Sequence, residues 1–251
     1  MKNFSRIRKH AIEAVRSAGE TLLSLFYPSH CAACQRDTEG GSHLCEDCAS
    51  TAQLIRSPFC RQCSQPFDGE ISGEFTCSNC EGCHFHFDSA VAAYRARGIV
   101  REFVHRFKYN GHFHLRHVLA DWLAAGLNDD RITVEPFDAI VPVPLHSARE
   151  RERQYNQAEV LGELIATRTG VPLLNNLERI RYTTTQTRLD REERMENLRG
   201  AFSVPHAEEV IGRNLILIDD IFTTGSTVEE CSRVLRNAGA ASVRVLTVAR
   251  A

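Results

Sequence analysis

The chain has 251 residues, with 30 Lys plus Arg against 32 Asp plus Glu and a formal net charge of −2, so no global field marks it as a binder of nucleic acid. Its length allows one substantial core plus a small appendage, and no apolar run approaches the length of a membrane span. Met1 to Glu20 carries too many charges for an export signal, so the 10 cysteines point to metal in a reducing, cytoplasmic compartment rather than to disulfides.

The first predicted element, residues 1–27, is an amphipathic basic helix: Phe4, Ile7, Ile12, Val15, Leu22, Leu23 and Phe26 recur at roughly helical spacing, with Arg6, Arg8, Lys9 and Arg16 among them. Residues 28–86 follow as a cysteine-rich module. Cys31/Cys34, Cys45/Cys48, Cys60/Cys63 and Cys77/Cys80 form Cys-x-x-Cys pairs; each suits a zinc knuckle, and two knuckles close one tetrahedral four-thiolate site. Zn²⁺ binding of about 10–16 kcal/mol per site would fold a segment whose own core is thin. Closed sites leave no position for substrate, so both are read as structural. Neighbouring pairs sharing one zinc and alternate pairs crossing over use the same residues, and both remain open. Cys83 is a surplus thiol or an alternative ligand. The clustered histidines His84, His86, His112, His114 and His117 are read as solvated or locally hydrogen-bonded, since cysteine already saturates two zinc sites.

From residue 87 to 251 the pattern becomes that of a single α/β domain. Strands are predicted at Ser89 to Tyr94, Asp138 to Val143, Leu215 to Ile218 and Ser242 to Ala249, with a short one near Val171 to Leu174. Helices are predicted at Ile99 to Tyr109, Phe113 to Leu127, Asn156 to Thr169 and Thr227 to Asn237. Strands alternating with helices imply right-handed crossovers and a parallel sheet. Cys231 falls inside the last helix and reads as a small core residue.

After the strand ending in Pro142-Val143-Pro144, a loop presents Arg149, Arg151 and Arg153 on alternate positions, where they could gather anionic oxygens. Residues 179–202 are polar and charged, and are expected to be extended or mobile. The most informative segment is Leu215-Ile216-Leu217-Ile218-Asp219-Asp220-Ile221-Phe222-Thr223-Thr224-Gly225-Ser226-Thr227. Two carboxylates fall at the carboxyl end of a buried strand, where open α/β sheets bind ligands. A hydroxyl-rich loop around Gly225 then opens a helix whose positive end faces an anion. Carboxylates accept hydrogen bonds from a vicinal diol, directly or through a hydrated metal, and the loop holds a phosphate. The pattern suits a ribose 5-phosphate. No Gly-x-x-x-x-Gly-Lys string competes for a nucleoside triphosphate.

That segment resembles the motif with which type I phosphoribosyltransferases bind 5-phosphoribosyl 1-pyrophosphate (PRPP). The resemblance implies that Asp219 and Asp220 contact the ribose hydroxyls, that Thr223, Thr224, Gly225, Ser226 and Thr227 cradle the 5-phosphate, that Mg²⁺ accompanies PRPP, and that Arg149, Arg151 and Arg153 lie where pyrophosphate sits. Together with Val141-Pro142-Val143-Pro144-Leu145, Arg151-x-Arg153-x-Tyr155-Asn156-Gln157-Ala158-Glu159 and the upstream cysteine pairs, the chain is similar to the ComF family, including its GntX relatives, from about Tyr27 to Ala251. Gln154 departs from the family pattern, which has glycine there. Gln186, Arg194 and Asn197 match the family pattern in the segment that closes over PRPP, with Arg194 among the candidate catalytic residues, and Lys108 resembles a recurring family position. The expected fold is therefore a type I phosphoribosyltransferase-like parallel sheet domain with a small N-terminal zinc-ribbon module. The expected function is transfer of phosphoribosyl to an unidentified base or amine, in a family linked to competence, DNA uptake and the use of DNA as a nutrient. The alternative is a non-catalytic PRPP or nucleotide sensor that binds single-stranded DNA beside the uptake machinery.

Overall fold

The structure, a computed structural model, describes residues 30–38, 42–71, 73–109, 111–182 and 191–251. The expected helix over 1–27 and Gln186 lie outside the described residues. The chain divides into two compact units at Thr51/Ala52.

In the first unit, His30 bridges to Asp37 across a tight turn, and a short helix, α1 (Glu46–Ser50), follows Cys45. The turn is closed by the Cys31 amide on the Arg36 carbonyl at 2.7 Å and the Gln35 amide on the Cys31 carbonyl at 2.9 Å, with Gln35 at φ 62°. The second unit repeats this device. The Cys60 amide donates to the Gln65 carbonyl at 2.8 Å and the Ser64 amide to the Cys60 carbonyl at 2.9 Å, with Ser64 at φ 56°. This second turn is not a free appendage. The Ser64 hydroxyl donates to the Ala90 carbonyl at 2.9 Å, and its cysteines belong to the same apolar cluster as Phe222, Val228 and Val245. The second half of the expected 28–86 module thus shares the core of the α/β unit.

The sheet orders its strands β1 (Ser89–Arg95), β6 (Ser242–Arg250), β5 (Asn214–Phe222), β2 (Ala139–Pro142), all parallel. Ile140 makes one further parallel bridge to Leu173, where the short strand near Val171 to Leu174 is expected. Leu215 to Ile218 are fully buried, as a strand covered on both faces requires. The intervening helices are α2 (Gly98–Tyr109), α3 (Arg116–Ala125), α4 (Asp130–Thr133), α5 (Ser147–Arg153), α6 (Gln157–Thr169), α7 (Arg191–Leu198) and α8 (Ser226–Asn237). A small antiparallel pair, β3 (Glu178–Arg179) with β4 (Phe202–Ser203), flanks the sheet.

Three local expectations change. The arginine segment is not a loop but helix α5, because Ser-Ala-Arg-Glu-Arg-Glu-Arg consists largely of good helix formers and His146 Nδ1 accepts the Ala148 amide at 3.2 Å as a cap. It ends at Gln154, which takes φ 69° and ψ −5°. That is the left-handed conformation in which glycine is the least strained residue, so the departure from the family pattern changes the side chain and leaves the turn intact. Residues 191–198 form α7 rather than extended chain, since Leu198 is buried and the helix packs on α8. Finally, β5 continues through Phe222, so Asp219 and Asp220 lie in its last turn of pleat and take opposite faces.

Candidate functional site

The sulfurs form two four-membered groups, Cys31, Cys34, Cys45 and Cys48, and Cys60, Cys63, Cys77 and Cys80, each with all atoms within 4.8 Å of one another. Neighbouring pairs therefore share a site, and crossed pairing is excluded. Two of the sulfur pairs, Cys34 to Cys45 at 3.7 Å and Cys63 to Cys77 at 3.6 Å, match the edge of about 3.8 Å expected for a tetrahedron with metal–sulfur distances near 2.3 Å. Crowding perturbs the thiols. In the second group, hydrogen bonds from the Cys63 and Cys80 sulfurs lower Cys60, while the Cys60 and Cys63 sulfurs raise Cys80. In the first, burial and the neighbouring sulfurs push Cys48 up to about 12. A divalent cation at the centre lets all four ionise together. The donor set fits structural zinc and leaves no open position for substrate. Cys83 stands outside both groups, its Sγ 3.5 Å from the Asn79 carbonyl.

The strand–loop–helix from Leu215 to Thr227 holds the sequence-predicted ligands together. Asp220 is 5% exposed and its Oδ1 lies 2.8 Å from Lys108 Nζ on α2. Asp219 Oδ1 accepts the Asp220 amide at 2.8 Å. Burial, then repulsion from Asp220, raises the Asp219 carboxyl to about 7, and Lys108 only partly offsets this. Lys108 shows the complementary balance: burial opposes its charge, but attraction to Asp220 and Asp219 prevails and raises its pKa.

Gly225 starts α8 at φ 81°, and a Cβ there would lie 2.5 Å from the Phe222 ring. Both the backbone and the space therefore demand glycine. Gly225 offers α8 no capping side chain of its own, and Thr224 Oγ1 accepts the Ser226 amide only at 3.5 Å, a helix start of the kind that suits an anion. Thr224 Oγ1 and Ser226 Oγ are 3.0 Å apart, which gathers two hydroxyls at the same turn.

Of the arginines, Arg153 is drawn toward the carboxylates. Its Nη1 donates to Gln157 Oε1 at 2.8 Å, its Nη2 to the Tyr109 hydroxyl at 3.2 Å, and its guanidinium lies 4.8 Å over the Tyr109 ring. Arg149, half-buried, is one helical turn away on the same face, because residues four apart align. Arg151 falls on the opposite side of α5 and is exposed, so the helix separates what an extended loop would have kept in one row. Arg194 and Asn197 lie on α7. The Asn197 carbonyl accepts Arg181 Nη2 at 2.7 Å.

The sequence reading missed Arg179. Its guanidinium lies 5.4 Å over the Phe202 ring, and burial first, then the nearby Arg149 charge, lower its pKa, with Cys231 and Asp219 pulling the other way. No spacing marks it in the chain. Only the β3–β4 pairing, which brings Arg179 opposite Phe202, places it beside the site. Cys231 is fully buried on α8, and burial pushes its thiol well up, as a core residue requires.

Comparison with known proteins agrees with this geometry. A double zinc ribbon domain matches residues 22–83 and a phosphoribosyl transferase domain residues 139–251. Competence protein F of Haemophilus influenzae is 31% identical over 90% of this chain and 99% of its own. Competence protein ComFC of Streptococcus pneumoniae is 28% identical over 83% and 88%. DNA utilization protein YhgH of Salmonella typhi is 31% identical over 82% and 90%. The likeness to these relatives runs along nearly the whole length, and the chain belongs to the ComF family of phosphoribosyltransferase-like proteins with an N-terminal double zinc ribbon.

Proposed function

We propose that the chain binds PRPP at Asp219 to Thr227 and transfers its phosphoribosyl group to a nitrogen acceptor, releasing pyrophosphate, in a role tied to the uptake or use of DNA. The observation that carries this reading is the run of β5 into α8, which holds two carboxylates, one of them paired with Lys108 at 2.8 Å, next to a helix start whose N-cap is a glycine with no side chain. The diol of a ribose and its 5-phosphate need those two environments side by side. The names of the relatives, competence protein and DNA utilization protein, support the biological setting.

Each residue has a physical task. Lys108 fixes Asp220 in one rotamer, so the carboxylate is oriented before substrate arrives. Arg153, held by Gln157 and Tyr109, and Arg149 on the same helical face offset negative charge as pyrophosphate leaves, in surroundings where fixed charges act more strongly than in water. The oxygen donors Asp219 and Asp220, the first raised by burial and then by repulsion from the second, suit Mg²⁺ bound with PRPP, and that ion would supply further neutralisation of the pyrophosphate.

The test is calorimetric titration of zinc-loaded protein with PRPP and Mg²⁺, beside an Asp219→Asn/Asp220→Asn variant. Saturable heat in the wild type that the variant loses supports the site. Absence of heat in the wild type overturns the proposal. Binding without pyrophosphate release for any base would instead favour sensing, and steeply salt-dependent binding of an oligonucleotide would then be the next thing to measure.

A further inference from the structure

Two cavities of similar size open in the α/β unit, each of about 360 Å³, at the small end of the roughly 300–1,000 Å³ typical of small-molecule sites. One lies beside Pro142 and Pro144 and presents Glu150, Glu159 and Glu178. The other lies between the second zinc site and the phosphate loop, and its chemistry differs. Thr223 and Thr224 line it together with Gln65, Asn79, Phe85 and Phe222. The rings are fixed. Phe85 stacks on Phe87 at 4.8 Å, Phe87 meets Phe222 edge-on at 6.1 Å, and Arg250 lies 5.1 Å over the Phe222 ring. The zinc ligands Cys63 and Cys80 also line it, so the metal site sets the position of the wall that carries Gln65 and Asn79.

We propose that this cavity is the acceptor site and takes a flat nucleobase ring, so that the second zinc ribbon supplies half of a substrate pocket. The assignment rests on the transferase reading above and adds where the acceptor sits and what recognises it. An apolar aromatic surface suits the face of a base through stacking. Side-chain amides, which carry donors and acceptors together, suit its edge. Thr223 and Thr224 belong both to this cavity and to the phosphate loop, so a ring bound here is adjacent to the sugar bound there. The cavity beside Pro142 and Pro144 has no aromatic ring among its lining residues and sets Arg179 among its glutamates. Arg250, 6% exposed, donates from Nη1 to the Phe222 carbonyl at 3.2 Å and so ties the end of β6 to the strand that carries the carboxylates.

The experiment is saturation-transfer NMR on zinc-loaded full-length protein with Mg²⁺ and ribose 5-phosphate, which fills the sugar site without a leaving group. Adenine, hypoxanthine, cytosine and uracil are the probes, and PRPP calorimetry is run on every protein. The variants are Phe85→Ala, which removes a ring, and Gln65→Glu, a half-buried surface change that leaves the packing of the rings untouched. Transfer to at least one base in the wild type, weakened about tenfold in both variants while PRPP heat is unchanged, supports the assignment. PRPP binding with no transfer to any base overturns the acceptor site and leaves the PRPP site standing. Equal transfer in the wild type and the Gln65→Glu variant also overturns it. If PRPP gives no heat but a base still binds and is lost in both variants, the cavity stands as a base site and the transferase reading falls.

Discussion

The two zinc sites are built on the same turn, with a left-handed residue at the fourth position after the first cysteine, Gln35 in one and Ser64 in the other. Their surroundings differ. In the first, Cys34 is exposed and Cys45 and Cys48 are half-buried, and a rim pair, Arg36 to Asp47 at 2.9 Å, joins two exposed side chains. In the second, all four cysteines are buried, between 0% and 6% exposed. Buried Arg131 donates there from Nη1 to the Arg61 carbonyl and from Nη2 to Ser64 Oγ, both at 3.0 Å, while Nη2 and Nε grip Asp129 at 2.7 and 2.8 Å. Identical metal chemistry therefore serves a site near the surface in one unit and a shared core in the other. An exposed ion pair of the first kind contributes about 0–1 kcal/mol, whereas breaking a buried hydrogen-bonded charge of the second kind costs about 3–5 kcal/mol.

The largest effect should come from the ligands themselves. Cys80→Ser should abolish the cooperative unfolding transition of the α/β unit, because about 10–16 kcal/mol of metal binding is folding energy there. Cys48→Ser should leave that transition within about 1 kcal/mol of wild type. Urea titrations followed by circular dichroism, with a metallochromic indicator for released zinc, measure both, and equal losses would erase the contrast. Next, Arg131→Met should destabilise the α/β unit by about 3–5 kcal/mol without lowering zinc content. Loss of one zinc instead would mean that the arginine holds the metal turn and not the interface behind it. Gly225→Ala combines a strained φ with a clash against Phe222 and should cost about 2–4 kcal/mol, together with PRPP binding.

The pH dependence has a definite sign. Asp219 is raised to about 7 in the fold from about 3.9 in an unfolded chain, so between those values the native state binds more protons. Stability is therefore greatest below pH 4 as far as this group is concerned and is lost as pH rises toward 7, a slope that Asp219→Asn should flatten in the absence of PRPP. The smallest effect is a local ruler. Gln154→Gly should stabilise the α/β unit by about 1 kcal/mol, since the turn already uses a glycine conformation. A destabilised variant would show that the glutamine side chain contributes something the turn geometry does not require.

The strand, loop and helix that hold Asp219 to Thr227 were legible because their signals are local. A continuous apolar run, two acids, a glycine between hydroxyls and a helical period each constrain a few adjacent residues. The same holds for the cysteine turns. Where two local tendencies competed, the pattern misled: alternating charge in 147–153 suggested an exposed loop, but strong helix formers and a cap at His146 closed a helix, and Leu198 anchored another in a segment whose other residues, apart from exposed Met195, are polar.

The sequence by itself determined which residues make the cysteine turns and the hydroxyl-rich loop after the carboxylate pair, because those structures form among near neighbours. The tertiary structure alone decided which cysteine pairs share a metal, that the second metal site belongs to the core of the α/β unit, that Lys108 reaches Asp220 and that Arg179 stands near Asp219. These depend on how strands order in the sheet and on which faces the helices bury, and contacts between distant segments leave no periodic trace in the chain that makes them.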